Sequence, residues 1–419
     1  MNPVALRRTL FSLLAVVVGI FGYVLLRQIG NDPDILPGKS VGLIAAEEIT
    51  SDGTKIVLIS PDGTIKDVPG HVSGKRDVDP QWRADGQRLF FTSDREENTF
   101  HIFRYRPEAG ESERRSLGSN SRSTPIFGPT GHPKANDDGI ITSRGQVLEY
   151  QPRDGTTYQL LPPQTMGAAA EADGSGGTVD AFSAIYSRIG TSFKSARYGK
   201  NREQVIAVMR REEGEVLVVQ SLAQVTDPES GQKRIPRPIP VIAGTSVDFD
   251  VSPTGEIFAS VIGFQWVDGN NIPEEFIKNG RATVPYKHGM IMFNPSAENE
   301  GVAVLFQSAE DALAVSNPRV SPDGNTLLWV MGSIGEGEAF EPQALFVAGL
   351  PPGSGGQPTQ IATGPIREPV WYPGSDSVLF VQSQDRQSAL FKVPAKGGEP
   401  TRITPEGRSF RSPAISPQQ

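Results

Sequence analysis

Apolar and polar positions alternate along most of this chain in short runs, and turn residues separate the runs. That two-residue period is the mark of half-buried strands. The clearest case is Val320, then Ser321-Pro322-Asp323-Gly324, then Leu327-Leu328-Trp329-Val330. Pro322 presets φ for the first central turn position, and Asp323-Gly324 supply turn chemistry. The flanking β-formers then pair as a hairpin.

The same phrase returns along the chain. Strands are expected at 41–46, 54–60 and 64–68. The fullest copy runs over 79–105, with Asp85-Gly86 at the turn and the apolar strand Leu89-Phe90-Phe91 behind it. Further copies start at 124–129, 179–183, 247–255, 317–330 and 368–374, and the chain stops in one more first strand at 412–417. The aligned anchors are Trp82, Phe127, Phe182, Val251, Val320, Trp371 and Ile415, spaced 45, 55, 69, 69, 51 and 44 residues apart by subtraction of their numbers. Four-stranded units with periods of about 40 to 50 residues predict an all-β β-propeller. The count is seven blades, or six if Phe182 is not an anchor. The two long gaps require insertions at 223–240 and 268–286. In the first, the run Ile235-Pro236-Arg237-Pro238-Ile239-Pro240 reads as a connector or a polyproline segment. In the second, 271–280 reads as one short helix stopped by Gly280. The first copy lacks its inner strand and the last copy is only an inner strand. Pairing 410–416 with 41–46 would complete a blade from both chain ends and cover the open edges.

Ahead of the propeller, which is assigned to 41–417, residues 9–26 carry no charge. As a helix they would span about 27 Å, close to the hydrocarbon thickness of a bilayer. Arg7 and Arg8 precede the stretch. The expected layout is a cytoplasmic segment 1–8, a transmembrane signal anchor 9–27 and a linker 28–40, with the propeller outside the cytoplasmic membrane. A cleaved signal peptide is the rival reading. Composition adds limits: 45 Gly and 35 Pro suit many turns, and zero Cys removes disulfides and thiolate sites. A net charge of −8 argues against nucleic acid as the main partner.

The motif Pro-x-Trp-x-x-Asp-Gly-x-x-Leu-x-Phe-x-Ser-Asp-Arg at 80–95 resembles the WD40-like repeat of the TolB-type propellers. Echoes stand at Ser252-Pro253-Thr254-Gly255, Ser321-Pro322-Asp323-Gly324 and Gln384-Asp385-Arg386. The resemblance implies a propeller that binds a protein partner at the bacterial cell envelope, without the α/β domain that precedes the propeller in TolB. In that family the segments leading into the inner strands open toward the central channel. The candidate binding residues at the channel mouth are therefore Asp79, Arg122, Asp248, Arg319, Arg367 and Glu368. Charges there either bind a ligand or peptide, or simply pin neighbouring blades.

No reaction is announced. The four histidines, His71, His101, His132 and His288, show no metal-ligand spacing, and His101 reads as a half-exposed sheet residue. A nucleophile elbow, a phosphate loop and an EF-hand loop are missing from the sequence. No cofactor or metal is expected. The leading function is a protein-binding or scaffolding module. The alternatives are a lyase or glycosidase with its site in the channel, or a small-ligand sensor there.

Overall fold

The computed structural model describes residues 42–83, 85–96, 98–115, 123–126, 140–144, 146–151, 158–163, 181–199, 203–223, 225–226, 233–267, 274–295, 302–336, 339–351, 357–384 and 387–417. The unit considered below lies within 40–419.

Antiparallel strands dominate it, because short β-forming runs alternate with turns too tight for anything else. The turn from the opening motif recurs along the chain. Gly324 N–H donates to the Ser321 carbonyl (2.8 Å), with Gly324 at φ +76°. The equivalent bonds run from Gly255 to Ser252, Gly86 to Arg83 and Ser375 to Tyr372. Asp323 reinforces its turn by accepting the Asn325 N–H (3.1 Å). Three of these turns lead the first strand of a four-stranded sheet into its second, and the one at Ser252 joins Ile239–Val251 to Ile257–Gln265.

Five sheets have four strands. One is Asp77–Trp82, Leu89–Ser93, His101–Arg106 and Glu111–Arg114; a second is Ser123–Ile126, Ile140–Arg144, Val147–Gln151 and Tyr158–Leu161. Two more start at Ala314–Val320 and Ile366–Trp371. The fifth joins the chain ends: Ser409–Ile415 pairs with Ile44–Thr50, followed by Gly53–Ile59 and Ile65–Asp67. Its register sets Ile44 opposite Ile415 and Ala45 opposite Ala414, as expected. A seven-stranded sheet holds the other described strands except for two small two-stranded hairpins. In it the long strand Ile239–Val251 pairs with Gly214–Ser221 through its first half and with Ile257–Gln265 through most of its length.

Successive sheets face one another across apolar cores. Trp82, Leu89 and Phe91 pack on Ala45, Ile56 and Ala414. Leu328, Leu345 and Ile361 pack on Trp371 and Phe380. The circuit closes where Leu379, Val381 and Leu390 meet Ile44, Ala46, Val57 and Phe410. The first strands of the four-stranded sheets, with Ser192–Tyr198 and Ile239–Val251 of the seven-stranded one, also touch their neighbours, from Ser409–Ile415 to Asp77–Trp82 to Ser123–Ile126 to Ser192–Tyr198, and from Ile239–Val251 through Ala314–Val320 and Ile366–Trp371 back to Ser409–Ile415. They are the inner strands.

Four expectations are corrected. Phe182 does not open an inner strand: Ala181–Ile189 is a helix, and Ser192–Tyr198 supplies the strand. Apolar residues at 182, 185, 186 and 189 follow helical rather than strand spacing. The expected helix at 271–280 is a single 3-10 turn, Glu274–Phe276, and then a hairpin, Ile277–Lys278 and Arg281–Ala282, turning at Asn279-Gly280. Both turn residues take positive φ (52° and 73°), as a tight hairpin demands. His101 is fully buried, not half-exposed. Lastly, the expectation of a single-pass membrane protein is overturned. Among the described residues no helix is long and apolar enough to cross a membrane. The described helix Ala181–Ile189 has nine residues, about 13 Å at 1.5 Å per residue, under half of a bilayer core. The segment 9–27 lies outside the described residues.

Candidate functional site along the inner strands

Four inner strands break their ladder at the same place. Asp79 (φ 55°), Asn317 (φ 52°), Glu368 (φ 50°) and Ser412 (φ 50°) take left-handed backbone, and each precedes a proline. At each point two residues of the inner strand face one of its neighbour, which is a β-bulge. Proline is tolerated there because the bulge has no ladder bond to lose.

Carboxylates from adjoining sheets answer backbone N–H groups at or beside three of these breaks, and a fourth N–H, at Val247, is answered from within the seven-stranded sheet. Asp79 N–H donates to Glu47 Oε1 (2.9 Å), and Ser412 N–H donates to Glu368 Oε2 (2.5 Å). Val320 N–H donates to Asp250 Oδ2 (2.9 Å), and Val247 N–H to Glu215 Oε2 (2.8 Å). Cations fill in between. Arg411 Nε donates to Glu47 Oε2 (2.6 Å). Lys194 Nζ reaches Glu215 (2.7 Å), Asp248 (3.2 Å) and the Val247 carbonyl (3.0 Å). Arg197 Nε lies 3.4 Å from Asp250. Indoles add a further tie between sheets: Trp82 N–H donates to the Ala414 carbonyl (3.2 Å) and Trp371 N–H to the Arg319 carbonyl (3.0 Å).

The electrostatics follow this geometry. Burial holds the Glu368 carboxyl above its ordinary range; the Ser412 N–H pulls it back and the Glu47 charge pushes it further up. For Lys194 burial works against the charge, yet Asp248 and Glu215 win and raise it. Arg319 is lowered by burial and by Arg197, against the attraction of Asp250 and Asp248.

The structure thus brings five of the six sequence-chosen residues to the inner strands, four of them in two groups. Asp79 and Glu368 share a network with Glu47, Arg411 and Ser412. Asp248 and Arg319 share one with Lys194, Arg197, Glu215 and Asp250. Arg367 is exposed, and its side chain forms no hydrogen bond or ion pair. Arg122 lies outside the described residues. Sequence reasoning missed Glu47, Asp250, Glu215, Lys194, Arg197 and Arg411, which sit within strands and carry no turn signal. Of the histidines, His71 Nδ1 meets Asp77 (2.8 Å). His288 accepts from Gly263 N–H at Nδ1 (3.2 Å), which leaves Nε2–H for Asp311 (3.1 Å). His132 lies outside the described residues. Among the described residues no group of three or more His, Asp or Glu is placed to hold a metal ion.

No family model matches the chain. One curated relative is an uncharacterized peptidase, YuxL, of Bacillus subtilis, 25% identical over 159 residues, which is 37% of this chain and 24% of that protein. The chain therefore aligns with about a quarter of its curated relative's length. Among solved structures, prolyl endopeptidases superpose with a TM-score of 0.53 at 9% identity, over 90% of this chain and 49% of theirs. The periplasmic gluconolactonase PpgL of Pseudomonas aeruginosa gives 0.51 at 13%, over 88% of this chain and 98% of its own. TolB of Acinetobacter baumannii gives 0.47 at 12%, over 95% and 72%. Identities this low speak to the fold and to nothing else, and it is the fold that the TolB-like motif at 80–95 implied: this chain is a β-propeller.

Proposed function

We propose that the chain is a seven-bladed propeller acting as a protein-binding module, with its inner strands given over to holding the ring rather than to catalysis. The count of seven treats Ile239–Val251 as the outer strand of one blade and the inner strand of the next. One observation carries the functional reading. Glu47, Glu215, Asp250 and Glu368 each already accept a backbone N–H from an adjoining sheet or strand. A carboxylate so used is a poor general base, because taking a proton would cost that bond.

The docking element is the inserted hairpin that follows Gln265. Trp266 N–H donates to the Thr283 carbonyl (2.8 Å), and the Trp266 ring packs 5.5 Å from that of Phe276. The hairpin is thereby fixed while Ile277 and Val284 stay 47% and 44% exposed. An ordered, half-apolar projection suits a protein partner.

The test is to replace 274–283 by a Gly-Ser linker and to place a photo-crosslinking amino acid at Lys278. Crosslinked partner in the parent, loss of capture in the linker variant and an unchanged melting temperature are expected. Turnover of a lactone or a prolyl peptide, the substrates suggested by the neighbours' names, that disappears in Glu368→Gln would instead make the chain an enzyme.

A further inference from the structure

Arg319 is half-buried on the inner strand Ala314–Val320, and hydrogen bonds fix one side of its guanidinium. Nη1 donates to the carbonyls of Pro318 (2.8 Å) and Phe249 (3.4 Å). Trp371 holds the backbone of the same residue through its carbonyl. Nε and Nη2 make no hydrogen bond, and no carboxylate lies within ion-pairing distance.

The acidic groups nearby are committed to others. Asp250 serves the Val320 N–H and Arg197, and Asp248 and Glu215 serve Lys194. Asp250 and Asp248 attract this guanidinium without touching it. A partly desolvated guanidinium with no direct ion pair is costly, and folded proteins pair such groups or offer them to a ligand. The unbonded edge is the one whose two parallel N–H groups match the two oxygens of a carboxylate.

We propose that the Nε–Nη2 edge of Arg319 seats the carboxylate of a small organic acid that enters along the inner strands. Charge favours a monoanion over a phosphate dianion. Lys194, Arg197 and Arg319 are already balanced by Glu215, Asp248 and Asp250, so each added negative charge meets growing repulsion. Whether or not the hairpin docks a protein, this seat stands on its own bonds.

The test uses the full chain labelled with [15N]arginine, titrated with acetate, acetamide or inorganic phosphate at constant ionic strength. The Arg319 Nε–H signal is the one missing from Arg319→Lys and displaced in Trp371→Phe, so two variants identify it. It should shift saturably with acetate, with affinity at least about tenfold above acetamide, a gap of about 1.4 kcal/mol. Arg237→Gln, which alters an exposed arginine away from this site, should leave the titration unchanged. The proposal falls if that signal does not move, if acetamide moves it equally, if phosphate binds more tightly than acetate, or if Arg237→Gln abolishes the effect.

Discussion

Trp371 shows how one side chain can tie two sheets. Its ring packs with Leu328 and Phe380, and its N–H meets the Arg319 carbonyl across the gap between sheets. Trp371→Phe keeps most of the apolar area but leaves that carbonyl without its donor. A loss of about 1 kcal/mol is expected, read as a lower midpoint in urea. Glu368 makes a prediction in pH. Burial raises its carboxyl from an ordinary value of 4.5, so the folded chain keeps a proton that the unfolded chain gives up. Its contribution to stability is therefore largest below that ordinary value and declines as pH rises through the folded pKa. Glu368→Gln keeps an oxygen acceptor for Ser412 N–H and cannot ionise. Melting temperatures from pH 4 to 8 should fall less in the variant than in the parent. At this scale the sequence was half legible. Asp79, Arg319 and Glu368 stand beside prolines in recognisable turn phrases, whereas Glu47 and Asp250 act on N–H groups 32 and 70 residues away. No local pattern marks a bond of that span.

At the level of elements, the bulge explains why polar residues sit in strands that ought to be apolar throughout. A residue at φ near +50° cannot carry a branched side chain without strain. Ser412→Gly should therefore be neutral or stabilise by up to about 1 kcal/mol, and Ser412→Val should cost about 1 to 2 kcal/mol. Both variants retain the N–H that Glu368 accepts, so chemical denaturation separates backbone strain from loss of that bond. Equal stabilities would mean the bulge is not strained. The hairpin phrases Ser321-Pro322-Asp323-Gly324 and Ser252-Pro253-Thr254-Gly255 were readable because their chemistry is local. The inner strand Ser192–Tyr198 was hidden because it lacks a turn phrase, and the helix Ala181–Ile189 drew the anchor assignment to Phe182. Tyr186 gives that helix its purpose in the fold: it is buried with Phe193 and Tyr198, and its hydroxyl donates to Gln220 Oε1 (3.1 Å).

Across the whole circuit, closure rests on one strand from the end of the chain. Ser409–Ile415 sends Phe410 into the core shared with Leu379, Val381 and Leu390, and Ala414 into the core shared with Trp82 and Leu89. Ion pairs run alongside: Arg411 to Glu47 (2.6 Å) and Arg408 to Glu48 (2.5 Å). This closure was legible in the sequence, because the incomplete copies at the two ends complement each other. Its energetic weight was not, since it depends on which cores the strand joins. Losing Phe410 alone should cost about 3 to 5 kcal/mol, and the strand's ladder to Ile44–Thr50 would be lost as well. A domain stable by about 5 to 15 kcal/mol cannot absorb much more. A chain ending at Arg408 should lose its cooperative calorimetric transition and expose the edge of Ile44–Thr50 to aggregation. A synthetic peptide covering 405–419, added at refolding, should restore the transition, and its Phe410→Ala form should not. A truncated chain that melts like the parent would mean the ring holds without its closing strand.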